Sequence, residues 1–160
     1  MHRLFCAALI LAPLPGWACD GALVMSCTAR QGARVVEICL TGGDFVYTYG
    51  PPGRAPELSL REPLANGTLY PWQGFGRAIA ETIAFYTGDF RYEVSYSVDR
   101  LLEGQPTDGS VRVTRTDAEV AFIACDPGST VTSFFVAADA MADLGLCWNG
   151  AVESWSSACP

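Results

Sequence analysis

The sequence contains no lysine, and its only histidine is His2. Met1–Ala18 has the organisation of an export signal, with a basic start, an apolar run over residues 4–14 and small residues before the expected cleavage after Ala18. The chain that remains, residues 19–160, would contain neither lysine nor histidine. It therefore cannot form a Ser-His-Asp triad, a Cys-His pair, a histidine-ligated metal site or a lysine Schiff base.

Other familiar signals are missing from residues 19–160 as well. No segment there reaches the roughly 20 apolar residues that span a bilayer, so no membrane span is expected. The glycines lack the spacing of a phosphate-binding loop. The cysteines form no C-x-x-C pair, which argues against both a zinc knuckle and a thioredoxin-like exchanger. We therefore expect no catalytic residues, no metal site and no cofactor.

The charge of the exported chain is strongly negative. The 10 basic residues of the full sequence are all arginines, and one of them, Arg3, lies in the signal. Nine arginines then stand against 17 aspartates and glutamates, which gives a net charge of −8. Such a surface disfavours nucleic acids and anionic membranes and favours cationic partners.

Seven cysteines are present, and Cys6 is lost with the signal. The other six form two groups of three: Cys19, Cys27, Cys39 and Cys125, Cys147, Cys159. An exported chain with six cysteines predicts three disulfides. Because each group has an odd number, at least one bridge must join the two groups. We expect the local pair Cys147–Cys159, and Cys125 bonded to one of the first three. A competing possibility is acylation of Cys19, which would leave five cysteines.

Apolar and polar residues alternate with period two from residue 21 to about residue 125. This pattern predicts eight strands, at residues 23–28, 35–40, 45–49, 57–61, 77–86, 90–98, 111–114 and 119–125. Turn residues separate them every eight to twelve positions or so, which is typical of an antiparallel barrel or sandwich. We therefore expect a single, mainly β domain over residues 19–160, stapled by disulfides.

The pattern changes after about residue 126. Residues 134–144 are rich in alanine and predict one short helix, with Thr132 and Ser133 as N-cap candidates and Gly145 as its end. The tail from Trp148 onward is expected to be irregular and held by its cysteines.

One loop, residues 62–76, contains three aromatic residues. Such a loop either folds back over the core as a lid, which we favour, or presents its rings to a partner. In the second case Tyr70, Trp72 and Phe75 are the binding anchors, and Arg77 adds a directional polar contact.

A pair of carboxylates of the glycosidase type is the chemistry that the composition still allows. Glu81 and Glu93, on neighbouring predicted strands, are the pair to inspect first. Since 17 acids would form close pairs by chance, solvated strand faces are the favoured interpretation.

The spacing of Cys19, Cys27 and Cys39, followed by Tyr47-Thr48-Tyr49-Gly50, Glu57-Leu58 and Phe85 with Gly88-Asp89-Phe90-Arg91-Tyr92, resembles small uncharacterised exported bacterial proteins. That resemblance implies export and a β-rich fold. More distantly, the chain resembles the periplasmic inhibitors of C-type lysozymes, which are small disulfide-bearing β-barrels with a Ser-Gly-x-x-Tyr loop. Residues 87–92 replace the serine of that loop with threonine and displace its tyrosine by one position, so no functional residue is carried over.

These observations predict a non-enzymatic periplasmic or secreted binding domain whose ligand is a protein or envelope component. A narrower hypothesis is an acidic inhibitor of a cationic cell-wall lytic enzyme. The alternatives are a carbohydrate-active hydrolase using two carboxylates and a structural envelope protein.

Overall fold

A computed structural model describes residues 19–159, so the export signal predicted for residues 1–18 lies outside the described chain. The long strands are β1 (Ala22–Ala29), β2 (Arg34–Thr41), β3 (Asp44–Gly50), β4 (Leu58–Pro63), β6 (Ala78–Thr87), β7 (Phe90–Asp99), β8 (Thr107–Arg115) and β9 (Ala118–Ala124). The short ones are β5 (Leu69–Tyr70), β10 (Val131–Thr132), β11 (Cys147–Asn149) and β12 (Ser154–Ser156). One α-helix, α1 (Val136–Asp143), and a 3-10 turn (Leu64–Asn66) complete the described elements. The eight long strands correspond to the eight predicted ones.

The strands form two antiparallel five-stranded sheets and a separate hairpin. The first sheet has the order β10-β1-β2-β3-β4, the second β5-β6-β7-β8-β9, and β11 pairs with β12. The sheets do not close on themselves, so the barrel alternative is wrong and the arrangement is that of a sandwich. The mainly β, antiparallel fold class is confirmed.

The core lies between the inner faces of the two sheets, because every second side chain of a strand points to the same face. The Tyr47 ring on β3 lies 5.4 Å from the Phe85 ring on β6 and so joins the two layers. Further buried side chains of this core include Met25, Val36, Ile38, Phe45, Ile83, Val94, Tyr96, Val111 and, from α1, Met141. This shared core, with the helix covering one part of it, sets the positions of the loops.

The turn between β1 and β2 is held by a carboxylate from the other end of the chain. Asp126 accepts hydrogen bonds from the backbone amides of Gln31 and Gly32, at 2.9 and 2.7 Å, and from the Thr28 hydroxyl at 2.9 Å. Hydrogen bonding, above all from the Gln31 amide, lowers the pKa of Asp126 against a smaller opposing effect of burial. The segment after β9 is therefore fastened to the first hairpin.

The three disulfides are Cys19–Cys39, Cys27–Cys125 and Cys147–Cys159. The predicted local bridge and the bridge between the two groups are both confirmed. Acylation of Cys19 is incompatible with this structure, because its sulfur is bonded to that of Cys39. Three disulfides are typical of a protein that folds in an oxidising compartment.

Two predictions about the C-terminal part are wrong. Thr132 and Ser133 do not cap the helix, because both bond to the Val24 carbonyl oxygen, Ser133 through its amide and Thr132 through its hydroxyl. Pairing with β1 has taken Thr132 into β10. Ser133 follows that strand, and the N-cap residue of the helix is Phe135, which makes no side-chain cap hydrogen bond. The tail after Trp148 is not irregular either, since it forms the second half of the β11–β12 hairpin, which the Cys147–Cys159 bridge closes.

Candidate functional site

The aromatic loop divides into a buried part and an exposed part. Leu69 is fully buried and pairs with Ile83 of β6, so the loop begins by packing against the core. Tyr70 is 38% exposed and Phe75 is 76% exposed. The prediction that the loop folds over the core as a lid therefore holds only for the start of the loop, and the rings of Tyr70 and Phe75 are exposed.

Indole hydrogen bonds hold the exposed part of the loop in place. Trp72 Nε1 donates to the Phe75 carbonyl oxygen at 2.9 Å, which closes the tip of the loop on itself. Trp148 Nε1 in β11 donates to Gln73 Oε1 at 2.9 Å, and Trp155 Nε1 in β12 donates to the Leu69 carbonyl oxygen at 2.6 Å. The β11–β12 hairpin, which a disulfide closes, is thus hydrogen-bonded to the loop through both of its tryptophans.

Ring contacts pair four of the aromatic side chains at this end of the molecule, and Phe75 lies on the same loop. The Tyr70 ring lies 5.9 Å from the Trp148 ring, edge to face, and the Trp72 ring lies 6.4 Å from the Phe135 ring. Phe135 is 42% exposed. The members of what we call the aromatic surface are Tyr70, Trp72, Phe75, Phe135 and Trp148.

Two arginines border the aromatic surface. The Arg100 guanidinium carbon lies 5.0 Å from the centroid of the Trp72 ring, and the same group donates to the carbonyl oxygens of Gly76 and Arg77. Arg77 Nε bonds to Asp99 Oδ2 at 2.6 Å. Burial alone would raise the pKa of Asp99, but the Leu101 amide and the Arg77 guanidinium lower it. The surface therefore carries fixed cations next to its rings.

The structure brings all four predicted binding residues, Tyr70, Trp72, Phe75 and Arg77, into this neighbourhood. Sequence reasoning missed Phe135, Trp148 and Arg100. None of the three carries a local signal, since only the tertiary fold places them beside the aromatic loop.

Phe135 owes its position to an unusual backbone. Its φ of 71° lies in the left-handed region, which costs a bulky residue free energy unless other contacts compensate. Its amide is near enough to the Glu81 carboxyl group to lower the pKa of that group. Glu81 is 1% exposed, and its Oε2 accepts a hydrogen bond of 2.7 Å from the Tyr96 hydroxyl. A buried carboxyl group thus lies beside the backbone that precedes the helix.

The two carboxylates singled out as a hydrolase pair do not face each other. In the β6–β7 register Glu81 lies opposite Tyr96, and Glu93 lies opposite Ala84. Residues 81 and 84 are three apart on one strand, so their side chains point to opposite faces of the sheet. Glu81 enters the core, while Glu93 pairs with Arg91 at 2.9 Å on the outer face. These two residues therefore cannot share a substrate.

The segment compared with the lysozyme-inhibitor loop is a tight β-hairpin turn. Thr87 ends β6, Phe90 begins β7 and the two pair directly, so only Gly88 and Asp89 form the turn. Asp89 is exposed and lies 3.8 Å from Arg115. This two-residue turn contains no aromatic residue, unlike the loop that carries Tyr70, Trp72 and Phe75.

Taken together, the fold and the site define an antiparallel β-sandwich with three disulfides and an outward-facing aromatic surface. No family model matches the sequence, and no significant match was found among curated proteins or among solved structures. Within residues 19–159, no group of three or more His, Cys, Asp or Glu side chains is arranged to hold a metal ion. The same part of the chain contains no helix with the length and hydropathy of a membrane span.

Proposed function

We propose that the chain is a non-enzymatic binding domain, periplasmic or secreted, that recognises a protein ligand through the aromatic surface. The observation that supports this most is the combination of exposure and fixation. Phe75 is 76% exposed and Tyr70 is 38% exposed, yet both belong to a loop that indole hydrogen bonds hold to a disulfide-closed hairpin.

Such a surface suits protein recognition energetically. Tryptophan, tyrosine and arginine contribute most of the binding free energy at protein interfaces. Rings that are already fixed lose little conformational entropy on binding, which leaves more of the contact free energy for affinity. Arg77 and Arg100 add donors in defined positions at the edge of the rings.

The overall charge of the chain favours a cationic partner. Residues 19–160 carry nine arginines against 17 acids. A net charge of this sign accelerates association with a basic protein and is effective mainly at low ionic strength. The narrower proposal is therefore that the ligand is a cationic protein, with a cell-wall lytic enzyme as the first case to test.

The general proposal is tested by capture from the organism's own envelope extract with the oxidised chain as bait. A Tyr70→Ser, Phe75→Ser variant should lose the captured protein, because it removes the two most exposed loop rings. Tyr86→Ser is the matched control, since Tyr86 is a 52% exposed aromatic residue near the far end of β6. Equal capture by wild type and the double variant would contradict the role of the aromatic surface.

The narrower proposal has a separate test. Purified chain is mixed with lysozymes of several classes, and lysis of cell walls is followed at low and physiological salt. We expect inhibition that weakens as salt rises. Neither inhibition nor complex formation at low salt would remove the lytic enzyme as ligand while leaving the general proposal to the capture experiment.

A further inference from the structure

Strand β9 is apolar, exposed and placed at the edge of the second sheet. Its sequence is AEVAFIA, and six of its seven residues are exposed. Val120 and Phe122 are each 54% exposed. Ile123 is half-buried and packs against the core, whereas the side chains of Val120 and Phe122 stay exposed.

The backbone of β9 is paired on one side only. Its partner is β8, and within residues 19–159 no other strand pairs with it. A free edge of this kind is a template for an additional strand, and soluble proteins usually protect such edges with lysine, proline, a β-bulge or a covering segment. In β9 the one such feature is the register shift at Val120. The sequence of β9 contains neither lysine nor proline, and its one charged residue is Glu119.

A strand from a second copy of this chain matches that edge. Antiparallel pairing about Phe122 sets Phe122 against its own symmetry mate, Ala121 against Ile123 and Val120 against Ala124. All five residues of this segment are uncharged, so no like charges meet. The β8–β9 register shifts at Val120, which has no partner on β8, and the pairing is regular from Ala121 to Ala124.

Charge is locally balanced at this edge. The chain as a whole is acidic, so two copies repel each other. Beside β9, however, Arg112 pairs with Glu119 at 3.4 Å and lies 6.0 Å from the Phe122 ring. Two copies can therefore bring these neutral strips together without bringing their acidic surfaces into contact.

We propose that two copies of this chain associate edge to edge through antiparallel β9–β9 pairing, which joins their second sheets into one. A strand pair this short buries less than the roughly 1,200 Å² of a standard stable interface. The dimer should therefore be weak and dependent on concentration. This inference concerns a different surface from the one proposed for ligand binding and does not depend on it.

The test is sedimentation equilibrium of the oxidised chain from about 1 μM to about 1 mM. Wild type should double its apparent mass over this range, whereas Val120→Lys, Phe122→Lys should stay monomeric. The matched control is Leu101→Lys, Leu102→Lys, which adds the same charge at exposed apolar residues after β7 and should still dimerise. Hydrogen exchange gives a second readout on unaltered protein, since the amides of residues 120–124 should exchange more slowly as concentration rises.

Either of two results would overturn the proposal: a wild type that remains monomeric throughout, or a dimer that persists in the β9 variant. If the variant fails to fold, the hydrogen exchange of wild type decides, and exchange in β9 that is independent of concentration rejects the pairing. Ligand capture by the β9 variant should equal that of wild type, so failure here is distinct from failure of the proposed function.

Discussion

The Tyr96 hydroxyl donates a hydrogen bond of 2.7 Å to Glu81 Oε2 inside the core. Glu81 lies near the Phe135 amide, and its Oε1 has no hydrogen-bond partner among the described residues. Burial raises the pKa of Glu81, the nearby Asp139 raises it further, and the Tyr96 hydroxyl and the Phe135 amide only partly oppose this. The buried carboxyl group beside Phe135 is thus one whose pKa is raised.

Glu81→Gln should change how stability depends on pH. Because the pKa of Glu81 is raised in the folded chain, its protonation stabilises the fold fully below the ordinary value of 4.5. That contribution is lost as pH rises through the raised pKa of the folded state. The permanently neutral glutamine avoids this loss, so the stability difference should move in favour of the variant as pH rises.

Urea unfolding of both proteins between about pH 4 and pH 8 measures this difference. Contributions from Asp99 and Asp126, whose pKa values are lowered, are present in both proteins and cancel. A stability difference that is constant with pH would show that Glu81 does not titrate as we expect.

Tyr96→Phe should destabilise the fold by about 1 to 3 kcal/mol, because it leaves a buried carboxyl group without its donor. Tyr49→Phe is the matched control. The Tyr49 hydroxyl is buried without a hydrogen-bond partner in the described chain, so its removal should change stability by less than about 1 kcal/mol or improve it. Thermal or urea unfolding compares the two, and equal losses would contradict the assignment.

Removing the Cys27–Cys125 bridge should cost more than removing Cys147–Cys159. The bonded residues are 98 and 12 apart in sequence, respectively. The chain-entropy model then gives about 5 kcal/mol for the first and about 3 kcal/mol for the second. Double Cys→Ala variants of each pair, unfolded in urea, test this order. The reverse order would mean that native contacts of the C-terminal hairpin outweigh chain entropy.

Phe135→Gly should leave stability unchanged or raise it, although it deletes a large side chain. Glycine adopts the left-handed φ of 71° without strain, and the ring that is lost is 42% exposed. Phe135→Ala is the control, because alanine loses the ring and keeps the strain. Calorimetry should therefore place the glycine variant above the alanine variant, and the opposite ranking would show that the left-handed φ does not strain residue 135. A glycine variant much less stable than wild type would indicate that the ring itself stabilises the fold.

Much of the β-structure was predictable because alternation is a local property. The same alternation explains why the Glu81 and Glu93 side chains point to opposite faces of the sheet. Glu81 is two and four residues before buried Ile83 and Phe85 and points into the core with them. Glu93 is one and three residues before buried Val94 and Tyr96 and points away from the core. The helix start was not predictable. The Ser133 amide bonds to the Val24 carbonyl oxygen of β1, more than 100 residues away in the sequence, and Ser133 does not take the capping role that the sequence predicted.

By itself, the sequence determined the formation of disulfides, the eight long strands and the need for a bridge between the two cysteine groups. The strands follow from alternation between neighbouring residues, and the bridge follows from the odd number of cysteines in each group. Only the tertiary structure decided that the sheets stay open, that Trp148 supports the aromatic loop and that Glu81 meets Tyr96 and Phe135. Those contacts join segments that are far apart in the chain, and packing of two sheets and a helix, rather than local preference, selects them.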